Sequence, residues 1–131
     1  MRKWIRRAAR SKVPVICVVT DAPKTGRLAV VSTDTPASGS LAADLLGKFL
    51  QGQGRVAVTL SALVITEHAE KFNAFKNTLR KFYAAMRIED AIEDHDIEAA
   101  AYDKSKKLFA EHPDLAGLYI TTEASIDGRG S

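Results

Sequence analysis

The polar residues Thr66, Glu67, His68, Glu70 and Lys71 crowd one short stretch of the chain. Together they offer hydroxyl, carboxylate, imidazole and ammonium groups, a mixture of donors and acceptors suited to a hydroxyl-rich ligand. Other chemistries fail on spacing. "EHAEKF" lacks the second histidine of a HExxH metal motif, and His68, His95 and His112 share no metal-ligand spacing with Cys17. The glycines of "GQGRVAV" precede an apolar run instead of separating a strand from a helix, so they mark a turn and not a dinucleotide loop. Neither GxxxxGK[ST] nor GxSxG occurs. The acids Glu89, Asp90, Glu93, Asp94 and Asp96 read as a solvated edge. The expectation is a noncatalytic protein with no metal and no cofactor.

The elements that must position the polar stretch follow from periodicity. Residues 55–60 are an apolar run of strand type, while from Thr66 onward Phe72, Phe75, Leu79, Phe82 and Tyr83 recur at helical steps. A strand therefore feeds a helix over 66–83, and Phe75 falls on its core-facing stripe. The same alternation holds along the chain: a helix over 2–10, extended segments at 13–19 and 27–33, and a helix opened by Thr35 and Pro36. In that helix Leu41, Leu45 and Phe49 form the expected buried stripe. Extended segments at 87–92 and 115–122 flank a helix over 96–111 that Pro113 stops. Such alternation predicts right-handed βαβ units, an α/β fold with a parallel sheet in three layers, and spatial strand order 87–92, 55–60, 115–122. Ligands of such sheets sit beyond the carboxyl ends of the strands, which puts 61–71, the neighbourhood of Asp94 and 121–125 on one rim.

With 131 residues and 46% hydrophobic content, the chain makes one ordinary globular domain at most. The net charge of +3 is local: residues 1–12 hold Arg2, Lys3, Arg6, Arg7, Arg10 and Lys12 with no acid, leaving 13 basic against 16 acidic groups elsewhere. That basic helix reads as a solvated outer face, since no helix-turn-helix or zinc-finger spacing accompanies it. A single cysteine, Cys17, fits a small buried hydrophobe and excludes an internal disulfide. No run has the length of a signal peptide or a membrane span, and the expected compartment is the cytoplasm.

The order "VPVICVVTD", "LAVVSTD", "ASGSLAADLLGKFL", "GRVAVTL", "HAEKFNAFKNTL" and "HPDLAGLYITT" resembles the middle of the type I periplasmic-binding-protein fold. That fold is shared by the effector-binding part of lac-repressor (LacI/GalR) regulators and by the sugar-binding components of ABC importers. The family's Arg-x-x-Gly-Phe-x-x-Ala-Leu helix is matched by Lys71, Ala74, Phe75, Thr78 and Leu79, with lysine for arginine and alanine for glycine. Lysine does not reproduce the bidentate fork of that arginine.

The resemblance implies an incomplete two-lobed receptor: 1–26 as the end of a first lobe and a hinge strand, 27–126 as a partial second lobe, and 127–131 as an unstructured tail. It places Thr20, Asp21, Asp34, His68, Lys71 and Thr122 toward the ligand. Asp21 and Asp34 fit equally well as turn and pre-helix residues that bond nearby backbone N–H groups. The function implied is a sugar- or polyol-binding effector module of a LacI-type regulator, touching DNA only through a headpiece outside this sequence and self-associating as a homo-dimer or a larger species. The alternatives are a sugar receptor of an ABC importer and, from a different class, a small α/β enzyme or nucleotide-binding protein.

Overall fold

A computed structural model describes residues 1–122, so the tail expected at 127–131 lies outside the described residues, and the chain divides into two compact units, Met1–Asp34 and a second that opens at Thr35. The first unit contains α1 (Arg2–Arg10), β1 (Ile16–Val18) and β2 (Ala29–Val31). β1 and β2 pair in parallel, Cys17 opposite Val30. One face of the pair is covered by α1 through Ile5, which clusters with Cys17 and Ala22. Ile16, Val18 and Val31 on the strands remain exposed, although parallel strands are ordinarily covered on both faces. The unit boundary falls after Asp34 because β2 finds its hydrogen-bonding partner in β1. Residues 27–34 therefore group with β1.

The second unit contains α2 (Thr35–Phe49), β3 (Gly54–Leu60), α3 (Thr66–Phe82), β4 (Met86–Glu93), α4 (Glu98–Glu111) and β5 (Leu115–Ile120). Its sheet is parallel with the order β4-β3-β5, as the βαβ pattern predicts. β3 is central, and Val56, Ala57, Val58 and Leu60 are wholly buried there. Val56, Val58 and Leu60 pack with Ala43 of α2 and with Phe75 and Leu79 of α3. Ala57 faces the other way, clustering with Ile92 and with Leu108 of α4. Two helices on one face and one on the other give the three layers.

Two register slips decide which side chains reach which layer. Val56 pairs with Ile88 but Ala57 with Asp90, so β4 carries an extra residue at Glu89. Ile88 consequently packs on the α2/α3 side and Ile92 on the α4 side, although an unbroken strand would put both on one face. On β5, Arg55 pairs with Leu115 and Val56 with Gly117, and the slip at Ala116 turns both Leu115 and Leu118 toward α4.

α2 departs from expectation. Leu41, Leu45 and Phe49 are exposed, Phe49 by 82%, and the buried positions are Thr35, Gly39, Ala43 and Gly47. Close approach is the reason: a Cβ on Gly39 would stand 2.2 Å from the Lys71 carbonyl oxygen. The small residues let α3 lie against α2 at a separation that the leucine face would prevent. The Thr35 hydroxyl crosses the same seam and donates to Glu70 of α3. α4 opens at Glu98, later than the predicted 96, because His95 and Asp96 both adopt positive φ, 56° and 57°.

Candidate functional site

In the first unit, β1 ends abruptly. Val19 has φ of 69°, costly for a β-branched residue, and the Thr20 N–H donates to the Val18 carbonyl at 2.9 Å. This γ-turn carries Thr20 into solvent and leads to Asp21. Asp21 Oδ1 accepts the Ala22 N–H at 2.7 Å, and Arg27 grips both carboxylate oxygens, with Nη2 2.8 Å from Oδ2. The Arg27 guanidinium holds the Asp21 carboxyl below its ordinary range against an opposing burial cost, and the Ala22 N–H adds to the lowering. Both the turn role and a charge partner thus belong to Asp21. Asp34 is exposed immediately before α2.

In the second unit, the carboxyl ends of β3, β4 and β5 are laced together by polar side chains. Asp94 is fully buried at the end of β4, so it is no part of a solvated edge. Its Oδ1 accepts the Asp96 N–H at 2.9 Å and its Oδ2 accepts the Thr122 hydroxyl at 3.0 Å. The Asp94 N–H donates to the Leu60 carbonyl at 2.9 Å, and the Ser61 hydroxyl donates to Asp96 Oδ2 at 2.7 Å. Thr122 is therefore buried, its hydroxyl turned to Asp94. His68 Nδ1 lies 3.2 Å from the Thr121 hydroxyl oxygen, which itself donates to the Thr59 carbonyl at 2.9 Å. Lys71, half-buried on α3, lies close enough for its charge to act on His68.

The structure thus gathers His68, Lys71 and Thr122 on one rim, and Thr20, Asp21 and Asp34 belong to the other unit. Ser61, Asp94, Asp96 and Thr121 fall within the three segments that the sequence expectation puts on one rim, although none is among its ligand-facing residues. The available signal was positional: Asp94 directly follows the last strand residues of β4, where a parallel sheet meets its ligand. Concave features of about 250 Å³ and 350 Å³ lie along β4, one floored by Ile92 and Leu108 and the other by Leu79, Met86 and Ile88. No rim residue lines either one. Among the described residues, no group of three or more His, Cys, Asp or Glu could hold a metal ion, and no helix is long and apolar enough to cross a membrane.

Burial, and then the nearby Lys71 charge, push the His68 imidazole below its ordinary value, against smaller opposing effects of Asp96, Glu67 and Asp94. The unfolded chain then binds the extra proton more readily than the folded one. This contribution to stability is complete above the unfolded value of about 6.5 and is lost as pH falls through the lower folded value. Urea unfolding between about pH 7.5 and pH 5 is expected to show a steeper acid loss for the wild type than for His68→Gln, which has no titrating ring. Identical slopes would mean that the ring titrates alike in both states.

The periplasmic binding protein domain profile matches residues 1–129. This chain belongs to the periplasmic binding protein domain family. Among solved structures, this periplasmic binding protein domain is similar to an ABC transporter solute-binding protein from Burkholderia graminis in complex with D-arabinose, with 26% identity and a TM-score of 0.89. The match covers 95% of this chain and 43% of that one. It is also similar to GanP, a glucose-galactose binding protein from Geobacillus stearothermophilus, with 27% identity and a TM-score of 0.86 over 97% of this chain and 45% of that one. A sugar-binding protein of a Bacillus halodurans sugar ABC transporter, 23% identical with a TM-score of 0.86 over 97% of this chain and 43% of that one, shares the fold. The domain thus spans less than half the length of the structures it matches. A comparison with curated protein sequences finds no match.

Proposed function

We propose that this domain is part of a noncatalytic sugar receptor of the kind that serves ABC importers, and that the rim at the ends of β3, β4 and β5 is one side of its ligand site. The observation that carries the reading is the meeting of His68, Thr121, Thr122, Asp94 and Ser61 on that rim. The relatives above one-quarter identity supply the ligand class, since they are named for D-arabinose and for glucose and galactose. Such a rim offers a neutral polyol both donors and acceptors. The lac-repressor-type reading rests on the helix motif around Lys71 and has no support from these relatives, which are named as an ABC transporter solute-binding protein and a glucose-galactose binding protein. The transport reading also moves the expected compartment from the cytoplasm to the outer side of the cytoplasmic membrane. We place the lobe boundary at Asp34/Thr35, where the units divide.

A ligand held from one side keeps much of its surface in water, whereas useful pockets bury most of it. Calorimetric titration of this chain with D-arabinose, D-glucose and D-galactose is expected to give dissociation constants no tighter than about 1 mM, with ATP giving no response. Preference for ATP would sink the sugar reading, and micromolar sugar binding would show that the rim needs no opposing surface. In a two-lobed protein carrying this sequence, Lys71→Ala is expected to weaken sugar binding by about 1–3 kcal/mol through loss of a charged hydrogen bond. Unchanged affinity would return Lys71 to the solvent. The exposed apolar faces of the β1–β2 pair and of α2 favour self-association, which sedimentation at several concentrations reads directly.

A further inference from the structure

The Thr121 hydroxyl carries one proton and stands between two neighbours. Its oxygen lies 2.9 Å from the Thr59 carbonyl oxygen and 3.2 Å from His68 Nδ1. A carbonyl oxygen can only accept, so the bond to Thr59 consumes the hydroxyl proton. The second contact is then a hydrogen bond only when the imidazole donates through Nδ1. We propose that Thr121 is a positioning residue: anchored on the Thr59 carbonyl, it fixes neutral His68 as the Nδ1–H tautomer and thereby presents Nε2 to the ligand as an acceptor.

The anchor is held twice, because the Thr121 N–H also donates to the Thr59 carbonyl, at 3.0 Å, where the strand ladder between β3 and β5 ends. The carbonyl has two lone pairs and takes both donors. Among the described residues, no hydrogen-bond partner reaches Nε2, and the ring is only half-buried. Burial and the Lys71 charge favour the neutral ring on which a tautomer has meaning. On the proposed sugar-binding reading, this rim then selects a hydroxyl that gives its proton to Nε2, while the Lys71 ammonium can only donate. A histidine in the other tautomer would ask the reverse of that hydroxyl.

The tautomer is measurable without any ligand. In the full chain labelled with ¹⁵N-histidine at about pH 8, where the His68 imidazole is neutral, long-range ¹H–¹⁵N spectra separate a protonated ring nitrogen from an unprotonated one. The His68 signals are those lost in His68→Gln. We expect Nδ1 protonated and Nε2 unprotonated in the wild type. Thr121→Val should shift the ratio toward Nε2–H by about tenfold, the scale of one net hydrogen bond, and Thr121→Ser, which keeps the hydroxyl, should restore it. A wild-type ring protonated at Nε2 overturns the inference, even if the valine variant does not fold, and so does a folded valine variant with an unchanged ratio. A chain with the expected tautomer that binds ATP in preference to sugars overturns the proposed function alone; sugar binding with the opposite tautomer overturns this inference alone.

Discussion

Phe75→Ala is expected to destabilise the second unit by about 3–5 kcal/mol, the range for removing a fully buried aromatic ring. Phe75 is wholly buried among Val56, Val58 and Leu60 of β3, with Ala43 from α2 and Leu79 from its own helix. Its ring stacks on Tyr119 of β5 with centroids 4.8 Å apart and planes inclined by 22°. Alanine would therefore leave a cavity between α3 and the sheet and also forfeit the aromatic pair. α3 carries His68 and Lys71, so their placement depends on this contact. Since a domain has only about 5–15 kcal/mol to lose, the variant should unfold at much lower urea or be unfolded without it, as far-UV circular dichroism would show. Phe75→Leu, which keeps most of the volume, should cost clearly less. A loss under about 1 kcal/mol for alanine would contradict a packed core at this position.

Asp94→Ala is expected to cost about 2–4 kcal/mol, because it strips an acceptor from the Asp96 N–H and the Thr122 hydroxyl in a place with little water. Thr122 is only 7% exposed and Asp94 not at all. The carboxyl also braces the positive-φ pair His95 and Asp96, and through Asp96 it fixes the Ser61 hydroxyl. Loss of Asp94 should therefore loosen the rim as well as lower stability. Asp94→Asn keeps one carbonyl acceptor and should retain part of the difference. Urea titrations of the three proteins would give the order wild type, asparagine, alanine; an alanine variant within about 0.5 kcal/mol of wild type would mean that water replaces the carboxyl without cost.

The sequence by itself determined what depends on near neighbours in the chain. The helical recurrence of Phe72, Phe75 and Leu79 marks α3 and its core face, and Phe75 is buried there as that stripe requires. The run at 55–60 marks a strand buried on both faces, and right-handed crossovers then leave β3 nowhere but the centre. The matches at Lys71–Leu79 and His112–Tyr119 carried the family resemblance.

Only the tertiary structure decided which face of α2 turns inward. Leucines at four-residue spacing point to a stripe, but the small residues offset from them allow α3 to approach within backbone contact, and this geometry belongs to the pair of helices. β2 likewise joined β1 by a choice of partner that its own apolar residues do not encode. The slips at Glu89 and Ala116 exchange the faces of whole strand ends, yet no local propensity distinguishes a bulged strand from a straight one there. The bonds within the rim were the least legible part for the same reason. They join residues 28 apart for Thr122 and Asp94, 35 apart for Ser61 and Asp96, and 53 apart for His68 and Thr121. Single-chain periodicity places each of those side chains at the end of an element, and sheet formation alone brings the ends together.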